Sequence, residues 1–130
     1  MRQPDSSLSA LTPLSAGDVA IVHAGDYVNK LNGQRIEREC RLRLEDGCRA
    51  LVINFKGTEL VNSIGVSILL GVIEIAEQKQ ARIVFTNLNH HTVELFDLLG
   101  LTRHVAMAAS DEDAFATLAE FIMPAPPQGH

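Results

Sequence analysis

Residues 50–80, ALVINFKGTELVNSIGVSILLGVIEIAEQKQ, constrain the fold of this chain more than any other stretch. Ala50-Leu51-Val52-Ile53, ending in Asn54-Phe55, is a short and nearly continuous apolar run between Gly47 and Gly57. A run of that length without polar alternation predicts a strand buried on both faces. After a short polar loop, Asn62-Ser63-Ile64-Gly65 opens a helical pattern. Ser67, Gly71, Glu74 and Gln78 recur at steps of four, three and four, which draws one polar stripe along a helix. Val66, Ile68, Leu69, Leu70, Val72, Ile73 and Ile75 fill the remainder. That apolar arc is wider than a single contact with a sheet requires, so part of it is free to face a partner.

The junction between strand and helix has a chemistry of its own. Asn62 or Ser63 can cap the helix, since either side chain can accept a bond from a free amide of the first turn. A helix start carries partial positive charge and unpaired amides, and it tolerates an anion. The serine also falls near the carboxyl edge of a strand, where open α/β sheets tend to carry function. Position alone nevertheless favours a plain capping role for Ser63.

Bulk properties exclude several classes of function. A chain of 130 residues, 46% hydrophobic and 21% charged, is one globular domain able to bury a core without metals or disulfides. The net charge is −5 with Lys and Arg scattered, so there is no basic face for nucleic acid. Cys40 and Cys48 are too few for a disulfide framework and lack zinc-site spacing, which predicts reduced thiols in a cytoplasmic protein. No metal and no cofactor is expected. The start, MRQPDSSLSA, has no apolar core of a secretion signal. The longest apolar stretch is broken by Ser67, Gly71 and Glu74, so no membrane span is predicted.

Taken in order, residues 1–7 are polar and read as loose. Leu8 to Leu14 is a weak strand that Pro13 confines to an edge. Ser15 to Asp18 reads as a turn and Val19 to Ala24 as a strand, with His23 as a partly buried core or edge residue. A first helix is expected over Gly33–Asp46, stopped by Gly47, with Ile36, Cys40 and Leu44 on its apolar face. The mixed charges of Arg35, Glu37, Arg38, Glu39, Arg41 and Arg43 read as a solvated face. Cys40 is expected in the core, with no neighbour to make it a nucleophile. Arg82 to Thr86 is a further strand. Asn87 to His91 reads as a loop, and Thr92 to Leu99 as a short helix with Val93, Phe96 and Leu99 inward. The adjacent His90 and His91 do not make a metal site. A last strand is expected near Val105. Ser110 then caps a final helix that buries Ala114, Phe115, Leu118, Ala119 and Ile122. Residues 1–122 form the single domain, and the proline-rich residues 123–130 read as a disordered tail.

Strands separated by single helices imply crossover connections and a mainly parallel sheet. The helices are short, which predicts one small sheet with helices packed mostly on one side.

This order of elements resembles the STAS domain, the fold of bacterial anti-sigma factor antagonists. The resemblance covers about Val19 to Ile122. It rests on Leu51-Val52-Ile53-Asn54-Phe55 followed by Val61-Asn62-Ser63-Ile64-Gly65-Val66, where the family shows an apolar strand and then Asp-Ser-Ser-Gly. Phe96-Asp97-Leu98-Leu99-Gly100-Leu101 is similar to the family's ending of its third helix. The resemblance implies an α/β fold: a single small mixed, mainly parallel β-sheet with about four helices. It also implies a switch without catalysis. In the family, the first serine of the motif, here Ser63, accepts phosphate from a partner anti-sigma factor that is itself a serine kinase. The unphosphorylated protein binds that kinase. The partner-binding surface so implied comprises Thr58, Asn62, Ser63, Ile64, Val66 and Ser67. Asn62 stands where the family usually has aspartate, and Asn54 replaces an acidic position at the strand end.

Two other classes remain. STAS domains also serve as subunits of ABC-type transport complexes or as scaffolds of stress-signalling assemblies. A serine hydrolase would need a base beside Ser63, from among His23, His90, His91 and His104, and the turn lacks the Gly-x-Ser-x-Gly elbow. No Gly-rich phosphate loop supports nucleotide binding. The sequence is compatible with a homodimer.

Overall fold

The computed structural model describes residues 16–122. The strand expected over Leu8–Leu14, the loose residues 1–7, the tail 123–130 and the side chain of Ile122 lie outside the described residues. A single 3-10 turn, Ala16–Asp18, leads into β1 (Val19–His23). The chain continues through β2 (Tyr27–Val28), α1 (Lys30–Glu45), β3 (Ala50–Asn54), β4 (Leu60–Val61) and α2 (Ser63–Gln78). It ends with β5 (Arg82–Thr86), α3 (His90–Leu99), a 3-10 turn at Leu101–Arg103, β6 (Ala106–Ala108) and α4 (Asp111–Ile122).

The main sheet runs β1-β3-β5-β6, and every pairing in it is parallel. Its centre is β3, all five residues of which are buried, as an apolar run without alternation requires. Leu51, Ile53, Val22 and Phe85 point to one face, where they meet Ile36, Cys40 and Leu44 of α1 and Leu69, Val72 and Ile73 of α2. Phe96 of α3 joins the same face, with its ring 5.6 Å from Phe55 and 5.5 Å from Phe85. The other face is thinner: Ala50, Val52 and Val84 pack against Ala114 and Leu118 of α4. Three helices therefore cover one face and one covers the other, in keeping with the arrangement expected from sequence.

Several boundaries move. Asn29 caps α1 by accepting from the Asn32 amide, so this helix starts at Lys30, three residues before Gly33. Asn89 caps α3 through the Thr92 amide, which takes His90 and His91 into the helix instead of a loop. The last strand lies at Ala106–Ala108, after Val105. The predicted inward faces also need correction. Leu99 is exposed because Gly100, at φ 85°, ends α3 beside it. Phe115 and Ala119 are exposed, since a two-residue anchor of Ala114 and Leu118 is enough to seat α4 on a narrow sheet. His23 is exposed at the end of the edge strand β1.

One pairing had no counterpart in the sequence reading. Tyr27–Val28 and Leu60–Val61 form a separate two-stranded parallel ribbon. Val28 and Val61 turn inward while Tyr27 and Leu60 turn outward. Gly65, in the first turn of α2, rests directly on this ribbon. A Cβ there would overlap the carbonyl oxygen of Val28 and lie 2.9 Å from Val28 Cγ1.

Two glycines of α2 thus behave oppositely. Gly65→Ala should lower stability to chemical denaturation by about 1–3 kcal/mol, the usual cost of overpacking against unyielding backbone. Gly71, with nothing within 4 Å of an added Cβ, should gain about 0.5–1 kcal/mol on substitution by alanine, from helix propensity alone. Urea titrations of both variants check the pair. The thiols supply a second test. Burial pushes the Cys40 thiol from 9.0 up to about 12. The unfolded thiol loses its proton near its ordinary value and the folded one only near 12, so the unfolded state binds fewer protons between them. Stability is therefore complete below about pH 9 and falls as pH rises towards 12. The denaturation midpoint should fall more steeply over that window in the native protein than in Cys40→Ala.

Candidate functional site

The start of α2 is built from three contacts. The Asn62 amide donates to the Val28 carbonyl at 3.1 Å, which ties the cap residue to the ribbon. The Asn62 side-chain oxygen accepts from the Gly65 amide at 2.8 Å and so caps the helix. Its side-chain nitrogen lies 3.3 Å from the Tyr27 hydroxyl. Of the two capping candidates, then, Asn62 is the cap and Ser63 is the first helical residue. The Ser63 side chain is exposed, and no group among the described residues is hydrogen-bonded to its hydroxyl. The plain capping role that position favours for Ser63 is filled by its neighbour.

The first turn of α2 contains no acidic residue. Asn62 caps without charge, so the positive end of the helix is not neutralised locally. Three exposed apolar side chains belong to this part of the molecule. Ile64 is 49% exposed, Leu60 55% and Tyr27 38%. Tyr27 and Leu60 are register partners in the ribbon, which places their side chains on one outer face.

The other residues expected at the partner surface divide. Ser67 is exposed one helical turn beyond Ser63. Val66 is 6% exposed and belongs to the core, so its side chain is not available to a partner. Thr58 is likewise buried, and its hydroxyl donates to the Gly25 carbonyl. The Asn89 side chain donates to the Thr58 carbonyl at 3.0 Å, so Thr58 joins the β1, β3 and β5 loops instead of presenting a surface. Tyr27 and Leu60 escaped the sequence reading. A two-residue strand has no measurable period, and the only hint was the β-forming pair Tyr27-Val28 after the Gly25-Asp26 turn.

Asn54 has a clear purpose. Its side-chain nitrogen donates to both carboxylate oxygens of Asp111, at 3.0 and 3.1 Å, and its oxygen accepts from the Lys56 amide at 2.7 Å. Thr86 donates to the same carboxylate at 2.8 Å. An acidic residue at 54 would face Asp111 with like charge and no donor. The buried Asn54 and Thr86 thereby fasten the start of α4 to the ends of β3 and β5.

No histidine among the described residues is hydrogen-bonded to Ser63. His90 lies 3.4 Å from Glu94, and His104 lies 3.2 Å from Glu77 near the other end of α2. Among the described residues no cluster of three or more His, Cys, Asp or Glu could hold a metal ion. No helix among them is long and apolar enough to cross a membrane.

The chain is 28% identical over 89 residues to BtrV of Bordetella bronchiseptica, named as a candidate anti-sigma factor antagonist, covering 68% of this chain and 77% of that protein. The fold is similar to that of the unphosphorylated Bacillus anti-sigma factor antagonist SpoIIAA, with a TM-score of 0.65 at 16% identity, covering 81% of this chain and 93% of the other. It is equally similar to the STAS domain of a SulP transporter from Vibrio cholerae, with a TM-score of 0.68 at 13% identity, covering 83% and 86%. The STAS domain profile matches residues 14–120, and the chain belongs to the STAS domain family.

Proposed function

We propose that this protein is an anti-sigma factor antagonist that binds an anti-sigma factor with serine kinase activity, and that phosphorylation of Ser63 by that kinase ends the binding. The observation that carries the reading is the exposed hydroxyl of Ser63, bonded to no described residue, in a helix start that also exposes Ile64 and is tied through Asn62 to the ribbon of Tyr27 and Leu60. The relationship to BtrV supports the general role. The chain itself performs no catalysis; the partner supplies ATP and transfers the phosphoryl group.

The physical argument turns on where the new charge would sit. A phosphoryl group on Ser63 adds about −1.5 to −2 charges. In the free protein the open amides and dipole of α2 accommodate it, by about 0.3–1 kcal/mol at an exposed site. Asn62 in place of a carboxylate removes a repulsion that would otherwise oppose it. In the complex the same group would lie inside an apolar contact, where an unpaired ion costs several kcal/mol in effective desolvation. Even about 3 kcal/mol lowers affinity more than a hundredfold. The addition thus leaves the fold intact and removes the interface. Asn62, Ser63, Ile64 and Ser67 form the contact together with Tyr27 and Leu60, while Thr58 and Val66 support it from within.

Incubation with an anti-sigma factor serine kinase from the same organism, and ATP, should place a single phosphate on Ser63, as read by mass spectrometry. Ser63→Ala should bind that kinase as tightly as the native chain, and Ser63→Asp at least about a hundredfold more weakly. Equal affinity of the two variants in calorimetry would reject the switch. Tyr27→Ala and Leu60→Ala should each weaken binding by about 1–2 kcal/mol with unchanged circular dichroism, because half-exposed side chains beside the acceptor act as interface anchors.

A further inference from the structure

The end of the sheet remote from Ser63 carries a hollow that the switch does not use. It arises from the shortness of β6, whose ladder with β5 begins at Val84↔Ala106. Arg82 and Ile83 therefore precede the β6 ladder and are paired in the sheet with β3 alone. The Leu101–Arg103 turn and His104 pass over the gap and leave a cavity of about 620 Å³, within the range of small-molecule sites. Its floor is drawn from both faces of the sheet, from the nearly buried Ile73 and Ala76 of α2, Ile83 and Val84 of β5 and Leu118 of α4, and its walls are largely polar.

The rim has the opposite character. Arg103 stands there beside Arg82, Gln80 and the Glu77–His104 pair, whose side chains approach to 3.2 Å. Arg103 has no ion pair or hydrogen bond from its side chain among the described residues. The floor requires an apolar body, and a guanidinium with open donors requires an anion, best a planar carboxylate that it can hold through two parallel bonds.

We propose that this cavity binds a small amphipathic monocarboxylate, with the aliphatic chain over Ile73, Ile83 and Leu118 and the carboxylate on Arg103. The site is independent of the role assigned to Ser63 and lies at the other end of α2.

Sodium decanoate below its micelle concentration is a suitable probe, with 1-decanol as the neutral counterpart, followed by amide chemical shifts of the full chain. Decanoate should give saturable shifts at Ala81, Ile83, Val105 and Ala106 and leave Ser63 to Gly65 unmoved. Decanol, lacking the charge, should bind at least about tenfold more weakly, as expected for a lost hydrogen bond to a charged group. Arg103→Ala should weaken decanoate by a similar factor without altering the spectrum of the free protein, because Arg103 is exposed. Shifts that fail to saturate, shifts centred on the start of α2, equal binding of decanol, or unchanged affinity in Arg103→Ala would each overturn the assignment.

Discussion

The first turn of α2 can lie where it does only because residue 65 has no side chain. Its backbone rests on the carbonyl of Val28, the same carbonyl that accepts from the Asn62 amide. The contact fixes three things together. It closes the small ribbon onto the domain, since Val28 and Val61 become buried under the helix start. It sets Asn62 at the position from which its oxygen caps Gly65. It also leaves Ser63, the next residue round the helix, exposed to solvent, as are Tyr27 and Leu60 of the ribbon. An exposed hydroxyl in an apolar surround follows from a close backbone approach, with no dedicated loop required.

Asparagine recurs at this edge of the molecule for a consistent physical reason. Asn29, Asn62 and Asn89 cap α1, α2 and α3 through their side-chain oxygens. Each retains a side-chain nitrogen with which to donate, and Asn62 and Asn89 use theirs towards Tyr27 and the Thr58 carbonyl. Aspartate would cap equally well but could not donate. Asn54 works in the same two-handed way, between the Lys56 amide and the Asp111 carboxylate. The loops at the carboxyl ends of the strands are thus tied to one another by neutral groups, and a charge added at Ser63 meets few fixed charges of its own sign in the first turn.

What was legible in the sequence depended on the length of the signal. The unbroken run of β3 and the apolar arc of α2 each span enough residues for their burial pattern to be read, and both elements appear where the pattern puts them. Cys40, on the stripe with Ile36 and Leu44, is in the core for the same reason. The ribbon of β2 and β4 was not legible, because two residues carry no period and the partner strands lie more than thirty residues apart in the chain. Thr58 and Val66 shared the motif's neighbourhood in sequence, but burial depends on direction, and both point inward. Phe115 shows the converse, an aromatic residue left outside because the sheet beneath α4 is narrow.

The strand order has a consequence for how the molecule is made. In the main sheet each described strand lies beside the one that came before it, β1 then β3, β5 and β6, and none is threaded between two already in place. A ribosome releasing this chain from its amino end can therefore build the sheet outward, each strand–helix unit settling on a finished edge as it emerges. No pairing among the described strands requires an earlier one to open, and the last described element, α4, is fastened by Asp111 to strand ends that precede it in the chain.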